Sequence, residues 1–163
     1  ATNYRGRTQK RNGDIELLTS KGFQYVSNAE VVKNREIIDS YKILIGRLVP
    51  SNGELDVDPK DGYKVITDTR IIGPGQINTE TYLDIGVFPT EEEAVNFDKY
   101  LKCKFTRYLL RQAISSLNVT RECFRFVPCE DFTEEWNDEK LYAKYGLTDE
   151  EIAVVEYTIR PME

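Results

Sequence analysis

The sequence contains no histidine and only three cysteines, Cys103, Cys123 and Cys129. Histidine is the commonest general base near neutral pH and the usual partner of a serine or cysteine nucleophile. Its absence excludes Ser-His and Cys-His hydrolases. The cysteines are odd in number and show no Cys-x-x-Cys spacing, so neither a Cys/His zinc site nor a disulfide framework is expected. Reduced thiols in a cytoplasmic protein are the expectation. No stretch approaches the roughly 20 apolar residues of a membrane span, and no apolar signal segment opens the chain. There is no Pro-Pro pair and no glycine-rich phosphate loop. The start at Ala1-Thr2-Asn3, without a methionine, reads as a domain taken from a longer protein.

What is present is an ordinary globular balance, 40% apolar and 31% charged over 163 residues, enough for one domain with a real core. The net charge of −6 is unevenly spread. Residues 1–50 carry nine Lys/Arg against five Asp/Glu, whereas residues 91–163 carry ten against sixteen. Within that acidic part, residues 99–125 hold seven basic side chains and only Glu122. Surface field follows local clustering, so the negative total is compatible with a DNA face. Solvated charge on ordinary helices is the plainer alternative.

Residues 1–13, with Arg5, Arg7, Lys10 and Arg11, are expected to be a flexible basic lead-in. Strands are expected at 23–27, 37–49, 63–72 and 79–88, with a short helix near 28–36 and an acidic loop at 54–61. Thr90 with Glu93 forms a capping box for a long helix reaching about residue 117. Ala94, Phe97, Leu101, Phe105, Tyr108 and Gln112 give its core stripe, and Tyr100, Lys104, Arg107 and Arg111 an adjoining ridge. A short strand at 122–127 and helices at 138–145 and 149–158 complete the chain, the last capped by Thr148 and Glu151. The expected class is α+β: a mostly β N-terminal half packed with a long helix and short C-terminal helices, forming one domain over 14–163.

Catalytic chemistry has little to stand on. Asp58-Pro59-Lys60 with Asp39 has the acid-x-lysine form of a metal-dependent nuclease, but Pro59 sits in a loop where a rigid strand is required. Glu54, Asp56 and Asp58 alternate like a calcium loop, yet Pro59 and Val65 stand where Gly and Glu are needed. Gly73-Pro74-Gly75 is a turn, lacking the lysine and helix start of a phosphate loop. Asn118-Val119-Thr120 has the form of a glycosylation sequon without a secretory context. The basic ridge is better placed to follow a phosphate backbone, with Arg70 beside it. Salt bridges from that ridge to the acids of its own first turn or of the tail are the competing reading.

Half of the chain resembles a known family. Thr79-Glu80-Thr81-Tyr82-Leu83 with Phe88 is similar to a strand in the C-terminal part of type II restriction–modification proteins. The helix carrying Glu93-Ala94, Tyr100-Leu101-Lys102 and Lys104-Phe105-Thr106-Arg107-Tyr108 resembles the element that follows it there. Phe124-Arg125-Phe126-Val127-Pro128, Asp131-Phe132 and Trp136 continue the likeness. It ends with Leu141-Tyr142, Lys144-Tyr145-Gly146-Leu147-Thr148, Glu150-Glu151-Ile152 and Ile159-Arg160-Pro161-Met162. Residues 1–78 match loosely, at Tyr41-Lys42-Ile43 and the Gly73-Pro74-Gly75 turn.

The family's members resemble adenine-N6 DNA methyltransferases, often fused to a nuclease. The resemblance therefore implies a parent using S-adenosylmethionine and magnesium. The Asn/Asp-Pro-Pro-Tyr tetrapeptide that grips a flipped adenine is missing here. The expected role is target recognition, with no cofactor, metal or catalytic residue of its own. Double-stranded DNA is the expected partner, together with the parent's methyltransferase and nuclease domains; no membrane is expected. Lys42, Arg47 and Arg70, with loops at 50–53 and 73–78, are the candidates for base edges. Tyr100, Lys104, Arg107 and Arg111 are the candidates for phosphates. The alternative is a scaffold that docks the catalytic domains through the acidic tail, anchored by Trp136 and Tyr142. A ridge lying under that tail would favour docking.

Overall fold

Alternating apolar residues build the first hairpin of this computed structural model, in which residues 5–50 and 61–162 are described. β1 (Asp14–Thr19) pairs antiparallel with β2 (Gly22–Ser27), Thr19 opposite Gly22. Ile15 and Leu17 turn to one face and meet Val26 and Ile38 in a small buried cluster. Leu18 turns to the other. The segment between hairpin and next strand forms two 3₁₀ turns, Asn28–Glu30 and Arg35–Ile37, in place of the expected short helix. The lead-in is tied down at Arg7, which bridges Tyr25 through its backbone and binds Asp14 and Glu30 with its guanidinium.

β3 (Tyr41–Gly46) is the centre of a second sheet, between β4 (Arg70–Ile72) and β6 (Tyr82–Phe88), all antiparallel. β5 (Gln76–Asn78) leaves that sheet and joins the first, parallel to β1. A bulge in the β3–β6 ladder falls where Leu44 faces Asp84. The expected strand at 63–72 is extended only from Arg70 onward. Before it, Val65 adopts φ +74, and Tyr63 is bridged to Ile159 instead of to a sheet.

The α+β class stands, arranged as three layers. Leu44 and Ile72 on one face of the second sheet bury against Leu18 of the first. Ile43, Ile45 and Leu83 on the opposite face bury against the helices. α1 (Glu91–Lys102) starts at Thr90, whose side chain accepts from the Glu93 amide. Phe97 of α1 lies so close to β6 that a Cβ on Gly86 would stand 2.6 Å from its ring, so only glycine fits there.

The expected single helix from 90 to 117 is broken. Cys103 is extended at ψ 141, and α2 (Lys104–Ala113) begins anew. Its first amides, on Lys104 and Phe105, donate to the two carboxylate oxygens of Asp138 at 3.0 and 2.9 Å. Residues 122–127 are no strand either. Among the described residues no neighbouring strand pairs with them, and their backbone bonds locally in a 3₁₀ segment, Arg121–Phe126. α3 (Asp138–Tyr145) ends on Gly146 at φ +63, and α4 (Asp149–Thr158) opens with the Thr148–Glu151 box.

Candidate nucleic-acid interface

Three of the seven residues selected for DNA contact are buried inside the fold, and two more, Lys104 and Arg111, are half-buried and engaged by neighbours. Arg107 is 0% exposed. It donates to the carbonyls of Lys102, Lys64 and Arg160, so it joins α2 to both the 61–69 segment and the C-terminus. Burial pulls its pKa down to about 10. Tyr100 is buried as well and donates to the Pro128 carbonyl at 2.7 Å. Burial pushes its phenol well above the ordinary range. Lys104 pairs with Glu156 of α4, and the Arg111 guanidinium lies 3.8 Å from the centre of the Tyr63 ring. The ridge is thus corrected: the break at Cys103 takes Tyr100 out of line with the other three, and α2 packs beneath α3 and α4.

Lys42 is corrected for the same reason. The residue is 1% exposed, and its ammonium donates to the carbonyls of Ile37, Ile38 and Ser40 at 2.8, 3.0 and 2.8 Å. Burial lowers its pKa to about 8, against the opposing pull of Asp84 and Asp39. The proposed docking anchors are internal too. Trp136 donates its indole N–H to the Asp131 carbonyl, and Tyr142 its hydroxyl to Glu156.

The two remaining candidates, Arg47 and Arg70, are exposed. Sheet register brings them to the same end of the second sheet. Arg70 faces Leu44 across β4 and β3, and its guanidinium sits 5.7 Å from the Tyr82 ring, while Tyr82 faces Gly46, the neighbour of Arg47. The Arg47 carbonyl accepts from the Val119 amide at 2.7 Å, which draws the 3₁₀ segment to that end. Arg121 then reaches β6, its Nε donating to the Asp84 carbonyl at 3.2 Å. Arg121 and Arg125 are both exposed.

Among the described residues, no ion pair uses Arg47, Arg70, Arg121 or Arg125. The lysines of the helical layer differ. Lys99, Lys102, Lys104, Lys140 and Lys144 pair with Glu135, Asp98, Glu156, Glu134 and Glu130. These helical-side lysines are thus neutralised, whereas Arg47, Arg70, Arg121 and Arg125 are not; among the described residues Lys21, Lys33, Arg35 and Arg111 also lack an ion pair. Sequence reading missed Arg121 and Arg125 because 122–127 read as a strand with its own alternation. The interleaving of arginine with phenylalanine in Arg121-Glu122-Cys123-Phe124-Arg125-Phe126 was the available signal.

Asp84 lies beside Arg121 with one carboxylate oxygen buried and unbonded, and burial raises its pKa. The described residues contain no group of three or more His, Cys, Asp or Glu side chains able to hold a metal. The acid-x-lysine and calcium-like motifs at 54–60, and the loop at 51–53, lie outside the described residues. No helix among the described residues is long and apolar enough to cross a membrane. No protein-family model, curated protein or solved structure matches the chain.

Proposed function

We propose that the chain is the DNA target-recognition region of a type II restriction–modification enzyme, meeting the duplex with arginines at one end of its second sheet. One observation carries this reading: Arg47 and Arg70 lie at that end with Arg121 held against neighbouring β6, and among the described residues none of the three forms an ion pair. Guanidinium groups suit both roles required, as bidentate donors to guanine edges and as phosphate ligands. In this reading methylation and cleavage, with S-adenosylmethionine and magnesium, belong to other domains of the parent. The family likeness of residues 79–163 supports that division.

The salt dependence of binding tests the proposal. Each phosphate contact removed lowers the slope of log affinity against log salt by about 1. Arg47→Ala, Arg70→Ala and Arg121→Ala together are expected to reduce the slope by about 2–3 and weaken binding of a mixed-sequence duplex at least tenfold. A wild-type chain that ignores DNA, or a triple variant with an unaltered slope, sinks it.

A second reading rests on α4. Glu156 holds Lys104 beneath this helix, while Val154 and Tyr157 point outward at 50% and 78% exposure. The ridge therefore does lie under the acidic tail, the condition that favours docking of a catalytic domain. Tyr157→Lys is expected to weaken co-purification with the parent's remaining domains without altering DNA affinity; unchanged association removes this reading.

A further inference from the structure

The turn leading into β1 carries Asn12 and Gly13 at its two corners. The Asp14 amide donates to the Arg11 carbonyl at 3.1 Å and closes it. Gly13 takes φ +78 while Asn12 stays out of the left-handed region, the pattern of a type II turn. Both residues are exposed, and nothing stands within 4 Å of where a Cβ on Gly13 would be. Among the described residues no hydrogen bond holds the Asn12 side chain or the Gly13 N–H. Other asparagines differ. Asn28, Asn78, Asn96 and Asn137 use their side-chain amides in hydrogen bonds, and Asn34 and Asn118 precede the bulkier Arg35 and Val119.

We propose that Asn12 is a site of spontaneous deamidation, and that its isoaspartyl product unfastens the basic lead-in from the first sheet. The Gly13 nitrogen, its proton lost to solvent, bonds to Asn12 Cγ; the Cγ–Nδ2 bond breaks and ammonia leaves. Water then opens the resulting succinimide ring. Cleavage at Cγ gives aspartate, and cleavage at the Asn12 backbone carbonyl gives isoaspartate, with the chain rerouted through Cβ and Cγ. The attack requires the Asn12–Gly13 peptide to turn over, which a glycine with empty surroundings permits. Asp14 is the fastener that this chemistry disturbs. It accepts from the Arg11 amide at 2.8 Å and from the Arg7 guanidinium at 2.6 Å. Arg7 in turn exchanges two backbone bonds with Tyr25, each at 2.8 Å. Isoaspartate inserts one methylene between Arg11 and Asp14, so the turn bond and the Arg11–Asp14 bond lose their register. Aspartate adds a carboxylate beside Arg11 and leaves the backbone path unchanged. No DNA partner enters this chemistry.

The test ages the folded chain at pH 8 and 37 °C beside a synthetic peptide of residues 8–17. Digestion after glutamate frees residues 1–16 from the second Asn-Gly pair, Asn52-Gly53, which lies outside the described residues. Mass spectrometry is expected to show Asn12 gaining one mass unit, at a rate within about tenfold of the peptide's. A protein-isoaspartate methyltransferase is expected to label the aged fragment, and Asn12→Gln to show neither change. In hydrogen exchange, the Arg7 and Tyr25 amides of the aged protein are expected to exchange at least tenfold faster than in the fresh protein. Asn12→Asp is expected to match the fresh protein within about twofold. A folded chain that reacts more than about a hundredfold slower than the peptide shows that the turn protects Asn12, and overturns the site. Isoaspartate at position 12 with unaltered exchange at Arg7 overturns the unfastening. Equal acceleration in Asn12→Asp traces the effect to charge and overturns the inserted methylene as its cause.

Discussion

Lys42 shows how little a side chain's identity says about where its charge goes. Its place on a strand beside Ile43 suggested a surface cation, yet all three ammonium protons are spent on carbonyls in the preceding turn. Those bonds favour the charged form, but burial outweighs them and brings the pKa to about 8, against 10.5 in an unfolded chain. The unfolded state thus binds this proton more tightly than the folded one. Below pH 8 both states are charged and the burial penalty is present in full. Between pH 8 and 10.5 folding releases the proton, so stability rises with pH. Urea unfolding of the wild type is expected to show that rise between pH 7.5 and 9.5, and Lys42→Met to lack it. The variant is also expected to lose about 1–3 kcal/mol at pH 7, from carbonyls left short of a donor. Equal pH dependence in the two proteins contradicts the assignment.

At the scale of elements, sequence and structure part at Cys103. The apolar stripe from Ala94 to Tyr108 has helical spacing throughout, so the capping box at Thr90 and the buried face of α1 were legible. The break was not, because it depends on Asp138, more than thirty residues away, supplying both carboxylate oxygens to the amides that open α2. Sequence pattern likewise found β3, whose residues divide between two faces that are both buried, but not β1 or β5. In β1 the charges of Asp14 and Glu16 interrupt the apolar residues, and β5 becomes a strand only because β1 lies beside it. Arg47 and Arg70 were named as candidate base contacts, and among the described residues neither forms an ion pair. Arg107 was not legible as buried, because two of its carbonyl partners, on Lys64 and Arg160, come from distant segments. Asp138→Ala removes the cap of α2 and is expected to cost about 1–2 kcal/mol. Asp138→Asn, which keeps one acceptor, is expected to cost less. An unchanged urea midpoint in Asp138→Ala shows that α2 starts without help.

Over the whole molecule, the middle sheet has no independent existence. Its two faces are buried by different partners, the helices against Ile43 and Ile45 and the first sheet against Leu44. Loss of either layer strips apolar surface from β3, so the layers are expected to unfold together. Hydrogen exchange checks this. The amides of β1 and β3 are expected to share one opening free energy, and a β1 that exchanges well before β3 shows separable layers. The division of charge fits the same plan. Paired lysines cover the helical layer, and among the described residues Arg47, Arg70, Arg121 and Arg125, outside that layer, form no ion pair.

The parallel seat of β5 beside β1 also sets an order of events during synthesis. β1 and β2 leave the ribosome first, but the strand that closes their sheet lies beyond β3 and β4. At about 5–20 residues per second, the gap between Ser27 and Gln76 lasts roughly 2–10 s. For that interval one edge of β1 stands open and Leu18 has neither Leu44 nor Ile72 for cover. The nascent hairpin is then a target for chaperones and for pairing with neighbouring chains. Slowing translation between codons 28 and 75 would lengthen that exposure without altering a single residue of the finished protein.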